Sequence, residues 1–188
     1  MLNLDWKPPV LETERLILRP LDERDVGDVF LYASNPNLSR HTLFNMHETL
    51  DDSLFFVRDY LLSRYANAEP DPLGIVLRAD TLRSVIGGIG CHWISRTDSV
   101  MELGYALAEP YWGRGLIAEA GRALIDFVFR EYAVERVQAR VFDGNSASGR
   151  VAEKIGMKLE GTLRSCMLVK GKRRDVDMYA ILRCDWAR

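Results

Sequence analysis

With 188 residues the chain is long enough to bury one substantial core without disulfide or metal support, so a single domain over 1–188, with a lead-in at 1–10, is expected. A formal charge of -2 and a pI near 6.0 give no global reason to expect nucleic-acid binding, and no apolar run is long enough to cross a bilayer. The first residues, Met1-Leu2-Asn3-Leu4-Asp5-Trp6-Lys7, lack the basic start and apolar middle of a signal peptide, which points to a cytoplasmic location. Cys91, Cys166 and Cys184 are odd in number, widely separated and free of Cys-x-x-Cys spacing. They read as buried reduced thiols, with no disulfide framework and no metal site.

The segment ahead of Pro8-Pro9 carries little pattern, and Arg15-Leu16-Ile17-Leu18-Arg19 reads as a first strand stopped by Pro20. Asp22 offers a cap to a first helix with Val26, Val29, Phe30 and Ala33 on one face, and Asn35-Pro36-Asn37 breaks it. Thr49 caps a second helix ending near Tyr65. Beyond a loop containing Pro70 and Pro72, three strands form an antiparallel meander over 73–78, 85–94 and 100–108. Gly87, Gly88 and Gly90 in the middle strand suggest a bulge or the close passage of another backbone. An amphipathic helix follows from Leu116 to Tyr132, then a strand at 134–142 and a short helix begun at Asp143-Gly144-Asn145-Ser146 and closed by Gly156. Strands at 159–169 and 176–182 form a hairpin around Lys170-Gly171-Lys172-Arg173, read as a solvated basic tip rather than a nucleic-acid contact.

The meander hands over to the amphipathic helix through Pro110, Tyr111 and then Trp112-Gly113-Arg114-Gly115-Leu116-Ile117. Two glycines at such a junction let the backbone approach a ligand while unpaired N–H groups point outward, and the helix N-terminus adds about half a unit of positive charge. A phosphate or pyrophosphate suits this turn. Gly-x-Gly alone is a weak signal, lacking both the third glycine of a dinucleotide fingerprint and the Gly-Lys-Ser/Thr of a Walker loop.

Its surroundings are specific. The chain resembles the GNAT N-acetyltransferase superfamily, and within it the branch containing ribosomal-protein N-terminal acetyltransferases. The family's pyrophosphate loop, Gln/Arg-x-x-Gly-x-Gly/Ala, falls on Trp112 to Ile117, with Trp112 in place of Gln or Arg and Ile117 in place of the small residue. A second motif falls on Asn145-Ser146-Ala147-Ser148 and continues through Arg150-Val151-Ala152-Glu153-Lys154-Ile155-Gly156-Met157. With Glu14 to Arg19 and Arg174 to Tyr179, the likeness covers about Leu11 to Trp186.

The resemblance implies an α/β (α+β) fold: a mixed, mostly antiparallel sheet of six to seven strands, splayed between two parallel strands and flanked by about four helices. It implies acetyl-CoA as donor, a primary amine as acceptor (a protein N-terminal α-amine or a small molecule) and direct attack in a ternary complex; composition and charge add the expectation of no metal, membrane or nucleic acid. Monomer and homodimer both stay open. The backbone of residues 112–117 would hold the pyrophosphate, and the gap between the strands around Tyr105-Ala106-Leu107 and Val137 to Val141 would hold the thioester, with the Leu107 N–H supporting the oxyanion. Glu102, on the same side of its strand as Gly104 and Ala106, is the expected base, with His92, His41 and His47 as alternatives. Ala152 stands where many relatives carry an acidic tyrosine, so the expected partner of the thiolate is Ser148, which also caps a helix beside Asn145. At the position where some of the branch carry a glutamate this chain has Met167. The alternative reading is a CoA-binding module without turnover.

Overall fold

Residues 6–186 are described by a computed structural model. Part of the expected lead-in, residues 1–5, lies outside them; Trp6 packs against Tyr65, at 6.3 Å between ring centroids.

Eight strands form one sheet in the order β1-β2-β3-β4-β5-β6-β8-β7. They are β1 (Leu11–Glu12), β2 (Leu16–Arg19), β3 (Leu73–Leu77), β4 (Val85–Ser95), β5 (Val100–Leu107), β6 (Arg136–Phe142), β7 (Lys158–Val169) and β8 (Lys172–Leu182). The strand missed from sequence is β1, whose two residues pair with Leu18 and Ile17 and are too short to show alternation. All neighbours are antiparallel except β5 and β6, which run parallel and pair only through Val100, Met101 and Glu102. Beyond Glu102 the two strands diverge, and this fork is the main feature of the sheet.

One face of the sheet is covered by α5 (Leu116–Glu131) and α6 (Ser146–Ile155), which close the larger core around Ile89, Met101, Leu103, Leu124 and Val137. Gly121 lets these helices approach, since a Cβ there would stand 2.5 Å from Ile155 Cδ1. The other face carries α1 (Val26–Ala33), α2 (Pro36–Ser39), α3 (Leu50–Phe55) and α4 (Leu61–Ala66), with a π-helical turn at Phe56–Tyr60 joining the last two. A short α7 (Arg183–Trp186) ends the described chain. Asn35-Pro36-Asn37 starts α2 rather than only ending α1: Asn35 Oδ1 accepts from Asn37 N at 2.7 Å, and proline suits a first helical turn, where its missing N–H goes unused.

The middle-strand glycines have separate causes. A Cβ on Gly87 would lie 2.9 Å from Leu107 Cα, and the β3–β4 register shifts beside it. Gly90 admits Asp71, whose Cα would be 2.5 Å from an added Cβ. The β7–β8 turn is tighter than expected: Val169 pairs with Lys172, so Lys170 and Gly171, at φ 49 and 76, form a two-residue turn. The basic tip is not wholly solvated, because Lys170 Nζ donates to the Ser39 backbone oxygen and hydroxyl, and Arg174 Nε pairs with Asp143 at 2.5 Å. Only Cys91 of the three cysteines is buried; Cys166 sits on the edge strand and Cys184 in α7, both exposed, because neither element is covered from outside.

Candidate active site

The fork places the expected donor-binding elements around one opening. Gly113 and Gly115 adopt φ of 76 and 74, the left-handed region that a side chain disfavours. Gly115 is also the N-cap of α5, with no side-chain cap, so the first N–H groups of a sixteen-residue helix stay available to an anion. Leu116 and Ile117 turn their side chains into the core, 3% and 6% exposed, so these two residues present backbone rather than side chain to the loop. Ile117 therefore does not occupy the turn it follows.

Side chains away from the loop fix its shape. Trp112 Nε1 donates to Leu107 O at 2.6 Å, tying the loop to the end of β5, a bond that a Gln or Arg in its place would have to make differently. Arg15 donates through Nε to Glu119 Oε2 at 2.7 Å and through Nη1 to Arg114 O at 3.0 Å. Glu119 also accepts from Thr13 Oγ1 at 2.5 Å and from Arg15 N at 2.9 Å. Burial raises the Glu119 carboxyl, but the bonds from Thr13 and Arg15 win and hold it below its ordinary value.

The divergence of β5 and β6 exposes backbone. Ala108 N donates to Ile86 O at 2.8 Å, so by alternation the N–H groups of Leu107 and Tyr105 face away from β4 toward β6. β6 has already left the pairing there. The Leu107 N–H thus borders the gap.

Across that gap, Asn145 caps α6 by accepting from Ser148 N at 3.2 Å, and Ser148 lies in the helix's first turn. Its hydroxyl is 2.5 Å from the Tyr105 phenol, which also donates to Ser148 O at 3.3 Å. Burial pushes the phenol up to about 12 against the lowering effect of the Ser148 hydrogen bond, so Tyr105 stays protonated near neutrality. The sequence reading missed Tyr105. Its alternation with Glu102 along β5 was the available signal, but nothing in the sequence indicated that α6 would be its partner.

Glu102 stands at the last position of β5 paired with β6 and is 5% exposed. Arg140 Nε donates to both its oxygens at 2.9 Å, Arg140 Nη2 donates to Oε1 at 2.5 Å, and Gln138 Nε2 donates to Oε2 at 3.1 Å. Both partners come from β6, and Arg140 Nη1 reaches Met167 Sδ at 3.0 Å. The expected base is therefore held in an ion pair across the fork.

Of the alternative histidines, His47 bonds Ser53 Oγ at 2.8 Å, and its pKa is lowered by burial. His41 is lowered by burial and then by the charges of Arg40 and Arg174. His92 faces Asp71, at 3.3 Å from Nδ1 to Oδ2. Among the described residues no group of three or more His, Cys, Asp or Glu side chains is arranged to hold a metal ion, and no helix is long and apolar enough to cross a membrane.

A sheet forked between two parallel strands, a glycine loop at a helix N-terminus and a hydroxyl across the gap form the arrangement that the resemblance to CoA-dependent acyltransferases implies. Residues 15–158 match the family described as Acetyltransferase (GNAT) domain, and the chain belongs to that family. It is 30% identical over 175 residues to "Uncharacterized N-acetyltransferase YoaA" of Bacillus subtilis (strain 168), covering 93% of this chain and 97% of the relative. It is 31% identical over 192 residues to "[Ribosomal protein uS5]-alanine N-acetyltransferase" of Escherichia coli (strain K12), covering 94% and 92%. A solved GNAT-family acetyltransferase from Bacillus anthracis superposes with a TM-score of 0.82 at 25% identity, covering 93% of this chain and 99% of the other. The protein is an acetyl-CoA-dependent acetyltransferase.

Proposed function

We propose that the protein acetylates a primary amine, a protein N-terminal α-amine or a small-molecule amine, by direct attack in a ternary complex. The observation that carries this reading is the fork itself: β5 and β6 part immediately after Glu102, with the glycine loop at one end and Ser148 beside the opening. Acetyl-CoA supplies the activated acetyl group as a thioester. The backbone of Trp112, Gly113, Arg114, Gly115, Leu116 and Ile117 holds its pyrophosphate, and the Leu107 N–H supports the oxyanion. Asn145 holds the first turn of α6 so that the Ser148 hydroxyl donates to the departing thiolate. Glu102, bonded by Arg140 and Gln138 from β6, holds the acceptor face of the fork in place.

The α-amine is favoured over a lysine side chain on chemical grounds. Its ordinary pKa of about 8 leaves part of it neutral at pH 7, whereas a lysine amine near 10.4 is almost wholly charged. A relative matched over nearly the full length of both chains, named "[Ribosomal protein uS5]-alanine N-acetyltransferase", points the same way. Thiol release from acetyl-CoA, measured with short peptides carrying each N-terminal residue and with a set of small amines, tests the proposal. Turnover above background with a free α-amine, abolished by prior blocking of that amine, is expected. No turnover across the whole panel would refute amine acetylation.

A further inference from the structure

The donor-binding loop and Ser148 both belong to the α5–α6 side of the sheet, so an acceptor must reach the fork from the opposite face. On that face β4 and β5 present His92, Gly90, Glu102 and Gly104: His92 pairs across from Glu102, and Gly90 across from Gly104. A Cβ on Gly104 would meet nothing within 4 Å, which leaves a bare floor next to the fork. Gly90 is instead filled by Asp71. Asp71 is 7% exposed and fixed from both sides, since Cys91 N donates to Pro70 O at 3.0 Å and Tyr65 Oη donates to Pro72 O at 2.6 Å. Its Oδ2 lies 3.3 Å from the buried Nδ1 of His92 without completing a hydrogen bond, while the His92 side chain stays 21% exposed.

We propose that His92, oriented by Asp71, is the base that accepts the proton of the acceptor amine. The proposal rests on the acetyltransfer reading. The Asp71 carboxylate, 3.3 Å from Nδ1, repels a lone pair there and so favours the tautomer with its proton on Nδ1, leaving the Nε2 lone pair for the amine. His92 lies diagonally across from the Gly104 floor, within one side-chain length of an amine seated there. Glu102 is the nearer carboxylate along β5, but its oxygens are occupied by Arg140 and Gln138. Charged and titratable groups stand behind Asp71 and across from His92. Arg64 of α4 has Nε 3.8 Å from Asp71 Oδ2, and Glu69 and Tyr60 both bond Arg64, at 2.9 and 3.0 Å. Glu102 lies opposite on β5. In the step itself the amine nitrogen forms its bond to the acetyl carbon, its proton passes to His92 Nε2, and the carbon–sulfur bond breaks. The electron pair stays on sulfur beside Ser148, and His92 later returns its proton to solvent.

His92→Gln tests the assignment against the peptide and amine panel. A positioned general base contributes roughly 10²- to 10⁴-fold, and the lower end applies to an α-amine already partly neutral, so kcat/KM at pH 7 is expected to fall about 100-fold. Calorimetric CoA affinity is expected to stay unchanged. Nitrogen NMR of the histidine rings, recorded without acceptor, is expected to show His92 protonated at Nδ1 and to lose that preference in Asp71→Asn. Wild-type turnover with His92→Gln within twofold across pH 6–9, or a wild-type His92 protonated at Nε2, overturns the proposal. Because the tautomer is read without turnover, a failure of amine acetylation and a failure of the dyad are told apart.

Discussion

Replacing Ser148 by Ala removes one oxygen from the wall of the gap and leaves the helix around it intact. The capping bond to Asn145 uses the Ser148 backbone N–H, so it survives, and alanine suits the first turn of α6. Tyr105 loses its 2.5 Å partner but keeps Ser148 O at 3.3 Å, so its buried phenol is not orphaned. A neutral hydrogen bond contributes about 1 kcal/mol net, which limits the expected fall in Tm to roughly 2–4 °C for a chain of this size. The effect on the chemical step is larger. A hydrogen bond to a charged group contributes about 1.5–3 kcal/mol, and a bond that strengthens only as the thiolate forms enters kcat, for an expected loss of roughly 10- to 150-fold. Steady-state thiol release with varied acetyl-CoA, alongside thermal unfolding, separates the two effects: kcat falls while KM for acetyl-CoA stays within about twofold. Tyr105→Phe is expected to lower kcat less, and to add nothing in the Ser148→Ala background if the phenol acts by aiming the serine hydroxyl. A Ser148→Ala enzyme with wild-type kcat would refute the reasoning.

Three further perturbations test the parts around that gap. Gly115→Ala forces a side chain into φ 74, where the nearest atom to its Cβ is Arg15 Nη2 at 3.9 Å; the cost is conformational, about 1–2 kcal/mol, and calorimetric CoA affinity is expected to drop about tenfold. An unchanged Kd would show that the loop tolerates another shape. Gly90→Ala drives a methyl group against the Asp71 backbone, 2.5 Å from its Cα, and is expected to cost about 1–3 kcal/mol, read as a Tm lowered by several degrees; an unchanged Tm would show that the segment carrying Asp71 shifts freely. For Glu119, the folded-state pKa lies below the ordinary value, so its contribution is full above about pH 4.5 and is lost as pH falls through the folded value. The stability gap between wild type and Glu119→Gln is therefore expected to shrink between pH 6 and pH 3 in denaturant titrations; a constant gap would contradict it.

Most elements were readable because their signals are local. The Asp22 and Thr49 capping boxes, the left-handed Gly156 at φ 108 and the apolar stripe of α5 each depend on residues a few positions apart. The short α2 and the two-residue β1 were not, since neither is long enough to show a period. The exposed Cys166 and Cys184 were misjudged because burial of a thiol depends on what covers its strand or helix, which a window of sequence does not contain.

The sequence by itself determined the donor side of this protein: the glycine pair after β5, the asparagine and serine opening α6, and the family they belong to. These are turns and caps, whose conformations follow from one or two residues and their neighbours. Tertiary structure alone decided how the two sides of the fork are wired. The Glu102–Arg140 pair, the Tyr105–Ser148 contact and the Asp71–His92 approach span 38, 43 and 21 positions. Each depends on strand register and on where the parallel pairing stops. Alternation along a strand gives the face of a side chain, but its partner is set by packing between elements distant in the chain, and there the glutamate at the fork acquired its arginine.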